Sequence, residues 1–262
     1  MELVFHGSNN TRDLGGIKTK DGRQIAPGRL VRSGALYRMN ASSCRRLETQ
    51  YRVKTIIDLR TTAEIGRRPL PKALKIPVVN VSLSEKAMLG MVSDSASIVQ
   101  KIRAVVAAGM TETEFMEQTY RNLIIGKTAM AGYQRIFDIL LHTPDGAVLF
   151  SCAQGRDRTG MTALMILSAL GVSVVDIMDD YMIAPSAERE YFLISLMKNL
   201  RLASPDEAAF AKAFASSSLS RFRCAERCLE EEYGSIHTYL TEAIGLRNAE
   251  FEQLRKMYLS QS

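Results

Sequence analysis

Short apolar runs alternate with longer stretches of helical periodicity, and this alternation predicts an α/β fold. The helical spacing dominates residues 85–137 and 161–170. The apolar runs are brief and rich in β-branched residues, as buried parallel strands are: Leu30–Arg32, Val53–Leu59, Ile76–Val81 and Ala147–Ser151. We therefore expect a mainly parallel central sheet flanked by helices.

Turn and cap signals refine this picture at both ends of the chain. Asp21-Gly22 lies between two short polar-apolar segments and predicts an N-terminal β-hairpin. Asn40 is a helix N-cap candidate before Cys44 and Leu47. Ser204–Glu207 forms a capping-box pattern that opens one of several added helices. We expect a single domain over residues 1–262, with a lid-like helical insertion at about 187–232.

The composition and charge of the chain indicate which classes of binding partner to expect. The chain has 262 residues, of which 46% are hydrophobic, enough for a sizeable core. Its net charge of +6 and pI near 9.2 favour acidic partners, such as phosphorylated substrates or an anionic lipid surface. Basic residues are scattered without interleaved aromatics, so we expect no nucleic-acid partner. No stretch predicts a signal peptide or stable membrane insertion, which favours a cytoplasmic location and leaves signal-independent export open.

The four cysteines do not form a metal-binding pattern. Cys224 and Cys228 are one helical turn apart, and their spacing to Cys44 and Cys152 matches no common zinc site. A disulfide within one helical turn would constrain little. We therefore expect reduced thiols in a reducing compartment, with no metal and no cofactor.

Residues Ser151–Gly160 carry the candidate chemistry. An apolar strand, Ala147–Phe150, leads into them, and the apolar helical pattern Met161–Leu170 follows. A strand, a tight loop and a helix N-terminus form an anion-binding site, since unpaired backbone N–H groups and the positive end of the helix dipole meet there. The sequence therefore predicts a phosphate site with a thiol, Cys152, at its start.

The loop residues suit attack on a phosphate ester. The positive field of the loop favours the thiolate form of Cys152, which is the nucleophile. Arg158 can hold two phosphate oxygens with its planar fork. Thr159 is placed to donate its hydroxyl to the departing thiolate. The remaining phosphate contacts are expected from Ala153, Gln154, Gly155, Arg156, Thr159 and Gly160.

The loop and several other segments together resemble the cysteine-based protein tyrosine and dual-specificity phosphatase superfamily, in its bacterial and fungal tyrosine/lipid branch. The other segments are Asn10–Gly16, Pro27–Leu36, Ile57–Arg60 and Tyr233–Ser235. The resemblance covers most of the chain outside roughly 82–110 and 195–230. It implies hydrolysis of phosphotyrosine in proteins, with phosphoinositide headgroups as a second substrate class, through a phospho-cysteine. Ser151 replaces the histidine usual in the family, and Arg156 stands where the branch often has lysine.

The general acid has two candidates. Many dual-specificity phosphatases carry an aspartate about thirty residues before the cysteine, but no aspartate lies between Asp94 and Asp138. The resemblance implies Asp58 as the acid, at the carboxyl end of a predicted strand. Asp157 is the alternative, as acid or to place the water. An ion pair of Asp58 with Arg32 or Arg60, and loop bracing by Asp157, are the structural interpretations left open.

Two other functions compete with this interpretation. Two features favour a non-catalytic phosphate-binding module: Ser151 before the cysteine, and the lack of an aspartate at the position where many dual-specificity phosphatases have their general acid. A rhodanese-like sulfurtransferase also has a cysteine in a cradle loop, but Arg158–Gly160 argues against it. The segment from Arg221 to Arg227 suggests a basic lid, although a solvated helical face is the favoured interpretation.

Overall fold

A mixed five-stranded sheet lies at the centre of the fold in this computed structural model, which describes residues 1–85, 95–183, 204–215 and 219–260. Its order is β1-β2-β5-β3-β4. The strands from β2 to β4 are parallel to their neighbours, and β1 is antiparallel to β2. The strands are β1 Arg12–Asp13, β2 Leu30–Ser33, β3 Val53–Asp58, β4 Val78–Asn80 and β5 Ala147–Ser151. The predicted mainly parallel sheet with an N-terminal antiparallel strand pair is confirmed.

Helices cover both faces of the sheet. Before β5 they are α1 Ala41–Thr49, α2 Thr62–Arg67, α3 Ser95–Ala107, α4 Glu112–Ile125 and α5 Lys127–Leu141. After β5 they are α6 Asp157–Leu170, α7 Val174–Met182, α8 Pro205–Ala215, α9 Leu219–Tyr233, α10 Ile236–Thr238 and α11 Asn248–Tyr258, with a π-helical turn at Tyr239–Ala243. In the part of the chain that the structure describes, no helix is both long and apolar enough to cross a bilayer.

The central strand β5 faces two hydrophobic cores. Val148 and Phe150 belong to the larger core, with α6 and the helices around it, whereas Ala147 and Leu149 belong to the smaller core with α1. Successive side chains of a strand point to opposite faces, so a strand buried on both sides reads as a continuous apolar run. Because β2 and β3 flank β5 in parallel, the carboxyl ends of all three strands meet at one edge of the sheet.

The predicted turn at Asp21-Gly22 is present between β1 and β2. Gly22 has φ +89° and donates its N–H to the Thr19 carbonyl at 3.0 Å, and a single antiparallel bridge pairs Lys18 with Gln24. Asn40 caps α1 as predicted, since its side chain accepts from the Ser43 N–H at 2.8 Å. The predicted turn at Asp21-Gly22 and the predicted N-cap at Asn40 are therefore both confirmed.

Two helix boundaries differ from the expectation. The helix after the cysteine begins at Asp157 rather than Met161, because the loop motif itself supplies the first turn, with an acidic residue near the positive end of the dipole. The predicted helix between Ser235 and Gly245 is one α turn followed by a π-helical turn, in which the Ile244 N–H bonds the Tyr239 carbonyl at 3.1 Å.

The predicted insertion is described only in part, since residues 184–203 and 216–218 lie outside the described ranges. The Ser204 hydroxyl accepts from the Glu207 N–H at 3.3 Å, as the capping pattern predicts. Phe210 of α8 packs edge-on against Phe115 of α4, with ring centroids 5.9 Å apart. The division into one domain with an insertion at 187–232 stays a prediction.

Candidate active site

Cys152 directly follows β5, at the edge where the carboxyl ends of three parallel strands meet. Ser151 pairs with Ser33 of β2 on one side and with Asp58 of β3 on the other. The Cys152 side chain is buried, and its Sγ accepts a hydrogen bond from the Gly155 N–H at 3.2 Å. An N–H aimed at the sulfur is placed to stabilise negative charge there.

Gly155 shapes the loop after the cysteine. Its φ is +68°, and a Cβ at this position would lie 2.5 Å from the Gly34 nitrogen and 2.7 Å from the Ser33 carbonyl carbon. Its carbonyl accepts from Asn10 Nδ2 at 2.8 Å and from Arg32 Nη2 at 2.9 Å. The loop is therefore held by the end of β2 and by the N-terminal segment.

A buried charge cluster supports these contacts. Asp180 of α7 accepts from Arg12 Nε at 2.8 Å through one carboxylate oxygen and from Arg32 Nη1 through the other. All three side chains are at least 94% buried. Burial alone would raise the pKa of Asp180, but the charges of the two arginines lower it. Burial and the Arg32 charge lower the pKa of Arg12 to about 10.

The N-terminus of α6 is open toward the loop. Arg156 occupies the N-cap position, and within the described ranges no side-chain capping hydrogen bond is made there. The first N–H groups of an uncapped helix bind anions readily. Ala153, Gln154 and Arg156 are half-buried along the open side of the loop.

Thr159 and Gly160 lie beneath the loop. The Thr159 hydroxyl donates to the Ser33 carbonyl at 3.4 Å, and the Gly160 N–H donates to the Arg156 carbonyl at 2.6 Å. A Cβ on Gly160 would lie 2.6 Å from the Tyr181 ring. Both residues pack the first turn of α6, and a direct phosphate contact from either stays a prediction.

Arg158 is fully buried and is held by Glu64 of α2. Its Nη1 and Nη2 donate to the two Glu64 carboxylate oxygens at 2.7 and 2.8 Å, and Nη1 also donates to the Leu59 carbonyl at 3.1 Å. Burial alone would raise the pKa of Glu64, but its hydrogen bond and ion pair with Arg158 lower it. Within the described residues, Arg158 Nε has no hydrogen-bond partner. The Nε and Nη2 edge of the guanidinium is thus the one left for two oxygens of an anion.

Asp58 forms an ion pair with Arg60. Arg60 Nε donates to Asp58 Oδ1 at 2.9 Å, Nη2 donates to Oδ2 at 2.6 Å, and the Arg60 backbone N–H adds a contact of 3.1 Å. The aspartate is buried at the end of β3. These contacts favour the ion-pair interpretation that the sequence left open, with Arg60 rather than Arg32 as the partner.

Asp157 belongs to the first turn of α6 and not to the loop. The Tyr120 hydroxyl donates to its Oδ1 at 2.5 Å and lies 2.6 Å from the Tyr181 hydroxyl, while Arg156 Nε is 3.5 Å away. Burial alone would raise the pKa of Asp157, but the charges of Arg156 and Arg221 and the Tyr120 hydrogen bond together lower it. Asp157 is therefore a carboxylate at neutral pH.

The basic segment of α9 divides into a buried part and an exposed part. Arg223 and Arg227 are exposed and pair with Glu226 and Glu117, which fits the expected solvated face. Arg221 and Phe222, however, are buried, so a wholly solvated face is wrong for them. The Phe222 ring packs on Tyr181, at 5.3 Å between centroids. This packing connects α9 to Tyr181, whose hydroxyl lies beside the Tyr120 hydroxyl that binds Asp157.

The sequence interpretation missed four residues that order the site: Asn10, Glu64, Tyr120 and Asp180. Two of them carried a local signal. Thr61-x-x-Glu64 is a capping box, and Asn10 adopts φ +50°, which asparagine tolerates better than most residues. Tyr120 lies on α4 and Asp180 on α7, and no local sequence pattern marks either of them.

The chain is similar to known tyrosine phosphatases along most of its length. The tyrosine phosphatase family model matches residues 3–260. The Cupriavidus necator protein named "Putative tyrosine-protein phosphatase H16_A0669" is 28% identical over 262 residues, covering 99% of this chain and 89% of the relative. "Triple specificity protein phosphatase PtpB" of Mycobacterium tuberculosis is 25% identical over 279 residues, 97% of each chain. The crystal structure of P. aeruginosa TpbA is 17% identical, covers 74% of this chain and 91% of its own, and has a TM-score of 0.31.

Replacing Asp180 by asparagine should destabilise the fold, because two buried arginine charges lose their counter-charge. We expect a loss of about 3–5 kcal/mol in the free energy of unfolding, measured by urea titration. Asp145→Asn is the matched control, since Asp145 pairs with Arg52 on the surface and should cost no more than about 1 kcal/mol. Equal losses in the two variants would contradict a buried role for Asp180.

The same variant tests the pH dependence. Because the pKa of Asp180 is lowered from 3.8 in the folded protein, its stabilisation is fully present above that value and is lost as the pH falls through the folded-state pKa. Asparagine does not titrate. The difference in unfolding free energy between wild type and Asp180→Asn should therefore shrink below about pH 4, and a constant difference down to about pH 2 would refute this linkage.

Gly155→Ala should abolish anion binding, because the added Cβ collides with the backbone of β2. We expect inorganic phosphate to raise the Tm of the wild type and not that of the variant. Gly22→Ala is the control, since Gly22 also has a positive φ but no atom within 4 Å of a Cβ. It should lose about 1–2 kcal/mol of stability and keep the phosphate response. An unchanged response in Gly155→Ala would overturn the packing argument.

Proposed function

The chain belongs to the tyrosine phosphatase family, so it is an enzyme that hydrolyses phosphotyrosine, and we propose that Cys152 is the nucleophile of a reaction through a phospho-cysteine. The observation that carries this proposal is that one loop brings together three groups suited to a phosphate ester. They are the Cys152 sulfur, the uncapped N-terminus of α6 and the Nε of Arg158, which has no hydrogen-bond partner among the described residues.

In the first step, the Cys152 thiolate attacks phosphorus and the bond to the tyrosine oxygen breaks. The Nε and Nη2 donors of Arg158 bind two non-bridging oxygens, while Glu64 fixes the other side of the guanidinium. The N–H groups at the start of α6 stabilise the charge that spreads over these oxygens in the transition state. The leaving tyrosine oxygen takes a proton from the general acid.

In the second step, water attacks the phospho-cysteine, the P–S bond breaks and the thiolate is regenerated. We assign the placement of this water to Asp157, since its lowered pKa keeps it as a carboxylate that accepts a proton. Tyr120 orients this carboxylate through its hydroxyl.

Asp58 is the proposed general acid of the first step. Asp58 pairs with Ser151 at the carboxyl edge of the sheet, and Ser151 immediately precedes the nucleophile Cys152. In the structure the Asp58 carboxylate is paired with Arg60 and has no proton to give, so this role requires that Asp58 leave Arg60 and take a proton from solvent before the leaving oxygen departs.

Phosphoinositide headgroups are the second proposed substrate class. Arg156, which is half-buried and two residues before Arg158, offers a further cation to a multiply phosphorylated ring. The relative named "Triple specificity protein phosphatase PtpB" supports activity beyond phosphotyrosine. A catalytic thiol must stay reduced, which supports a cytoplasmic location. Family membership favours the enzyme over a non-catalytic module or a sulfurtransferase.

Cys152→Ser should lower kcat on a phosphotyrosine peptide on the order of 10⁴-fold or more, because a serine hydroxyl is not ionised in this loop. Initial rates of phosphate release measure it. Cys224→Ser, a half-buried thiol on α9, is the control and should keep the wild-type rate. Undiminished turnover by Cys152→Ser would contradict the role of Cys152 as the nucleophile.

The effect of Asp58→Asn on kcat should depend on how readily the leaving group departs without a proton. A poor leaving group needs protonation, so kcat on phenyl phosphate should fall about 10²-fold or more, whereas p-nitrophenyl phosphate should be affected far less. Asp157→Asn should instead slow hydrolysis of the phospho-cysteine equally for both substrates. Equal losses on the two substrates in Asp58→Asn would show that Asp58 acts only through its ion pair with Arg60.

A further inference from the structure

Two buried tyrosines form a hydrogen-bonded pair behind the candidate active site. The Tyr120 hydroxyl donates to Asp157 Oδ1 at 2.5 Å, and the hydroxyl oxygens of Tyr120 and Tyr181 lie 2.6 Å apart. A tyrosine hydroxyl has one hydrogen to donate, and an ionised carboxylate can only accept. Because the hydrogen of Tyr120 goes to Asp157, the hydrogen between the two tyrosines comes from Tyr181. The donors therefore run in one direction, from Tyr181 through Tyr120 to Asp157.

Both hydroxyls keep their hydrogens at neutral pH. Burial and the negative charge of Asp157 raise the pKa of Tyr181 to about 12, and the same two causes raise the pKa of Tyr120 well above 10. The other charged groups that act on Asp157 are Arg156 and Arg158 beside it in the chain and Arg221 of α9. The tyrosines thus remain donors and Asp157 remains an acceptor over the same range of pH.

The end of α7 holds Tyr181 in place. The carboxylate of the preceding residue, Asp180, binds Arg12 and Arg32, and the Asp180 carbonyl accepts from Arg12 Nη2 at 2.6 Å. Consecutive residues of a helix point about 100° apart, so Asp180 reaches Arg32 while Tyr181 reaches α4. The arginine contacts that shape the phosphate-binding loop therefore also fix the backbone from which Tyr181 extends.

Packing fixes the ring of Tyr181 as well. The Phe222 ring of α9 lies 5.3 Å from it between centroids. The ring also lies against the first turn of α6, where a Cβ on Gly160 would be only 2.6 Å away. Tyr181 is 4% exposed, so its hydroxyl reaches the reaction through Tyr120 and not by contact with a bound peptide.

We propose that Tyr181 is a positioning residue for hydrolysis of the phospho-cysteine, acting through Tyr120 on Asp157. This inference rests on the proposed function, in which the Asp157 carboxylate takes a proton from the attacking water as the P–O bond forms and the P–S bond breaks. The Tyr181 hydroxyl fixes the Tyr120 oxygen, so that Tyr120 points its hydrogen at one carboxylate oxygen and restricts rotation of the Asp157 side chain. Formation of the phospho-cysteine does not use Asp157 and is therefore independent of Tyr181.

Tyr181→Phe removes one oxygen and keeps the ring. Rapid quench during turnover of p-nitrophenyl phosphate measures formation and decay of the phospho-cysteine separately. We expect the rate constant of decay to fall about three- to ten-fold, as the loss of one hydrogen bond implies. The formation rate and kcat/KM, which covers only the steps up to formation, should stay within about two-fold of the wild type. Tyr120→Phe should slow decay at least as much, because it removes the hydroxyl that contacts Asp157.

Tyr133→Phe is the matched control. The buried Tyr133 hydroxyl donates to the Leu123 carbonyl at 2.8 Å, so this variant also removes a buried hydroxyl that makes one hydrogen bond, but outside the catalytic loop. It should lower the Tm as Tyr181→Phe does and keep both rate constants. A slower decay in Tyr133→Phe, equal to that in Tyr181→Phe, would show that the effect is one of stability and would overturn the inference.

A double variant tests whether Tyr181 acts through Asp157. In an Asp157→Asn background, Tyr181→Phe should have no further effect on decay, because the carboxylate that it positions is already absent. A full further loss in that background would overturn the inference, and so would an unchanged decay or a slower formation step in Tyr181→Phe alone. Wild-type turnover without any phospho-cysteine would instead contradict the proposed function, and this inference with it.

Discussion

The carbonyl of Gly155 accepts hydrogen bonds from Asn10 and Arg32, and the shape of the phosphate-binding loop depends on this contact. Arg32 reaches the loop because Asp180 holds it together with Arg12. Two buried arginines around one carboxylate cost desolvation free energy that a hydrophobic pair would not. We infer that the fold retains this cluster because it fixes the loop beside the nucleophile.

The same principle orders the other side of the site. Glu64 engages two nitrogens of Arg158 and leaves one edge of the guanidinium without a partner in the described residues. A guanidinium fixed in this way loses little conformational entropy when it binds phosphate. The loop between these two ion-pair systems is therefore preorganised, and catalysis through charge stabilisation requires that preorganisation.

Local sequence patterns were sufficient for much of the fold and for the core of the site. Apolar runs located the central strands, and the cysteine, glycine and arginine of the loop located the anion site, because each acts through its immediate neighbours in the chain. Asp180 escaped prediction since its partner Arg32 is 148 residues away. The ion pair of Asp58 with Arg60 was an open alternative, because sequence alone does not say which way a strand-end carboxylate turns. The start of α6 at Asp157 was missed because the first helical turn, Asp157–Gly160, is part of the loop motif and lacks the apolar pattern that begins at Met161.

The proposed reaction depends most directly on a covalent intermediate at Cys152. Rapid acid quench of the enzyme during turnover of a phosphotyrosine peptide, followed by mass spectrometry of its peptides, measures that intermediate. The proposed mechanism predicts one phosphate on the fragment that contains Cys152, in higher yield when Asp157 is replaced by asparagine. Phosphate on another residue, or turnover without any phosphorylated fragment, would contradict it.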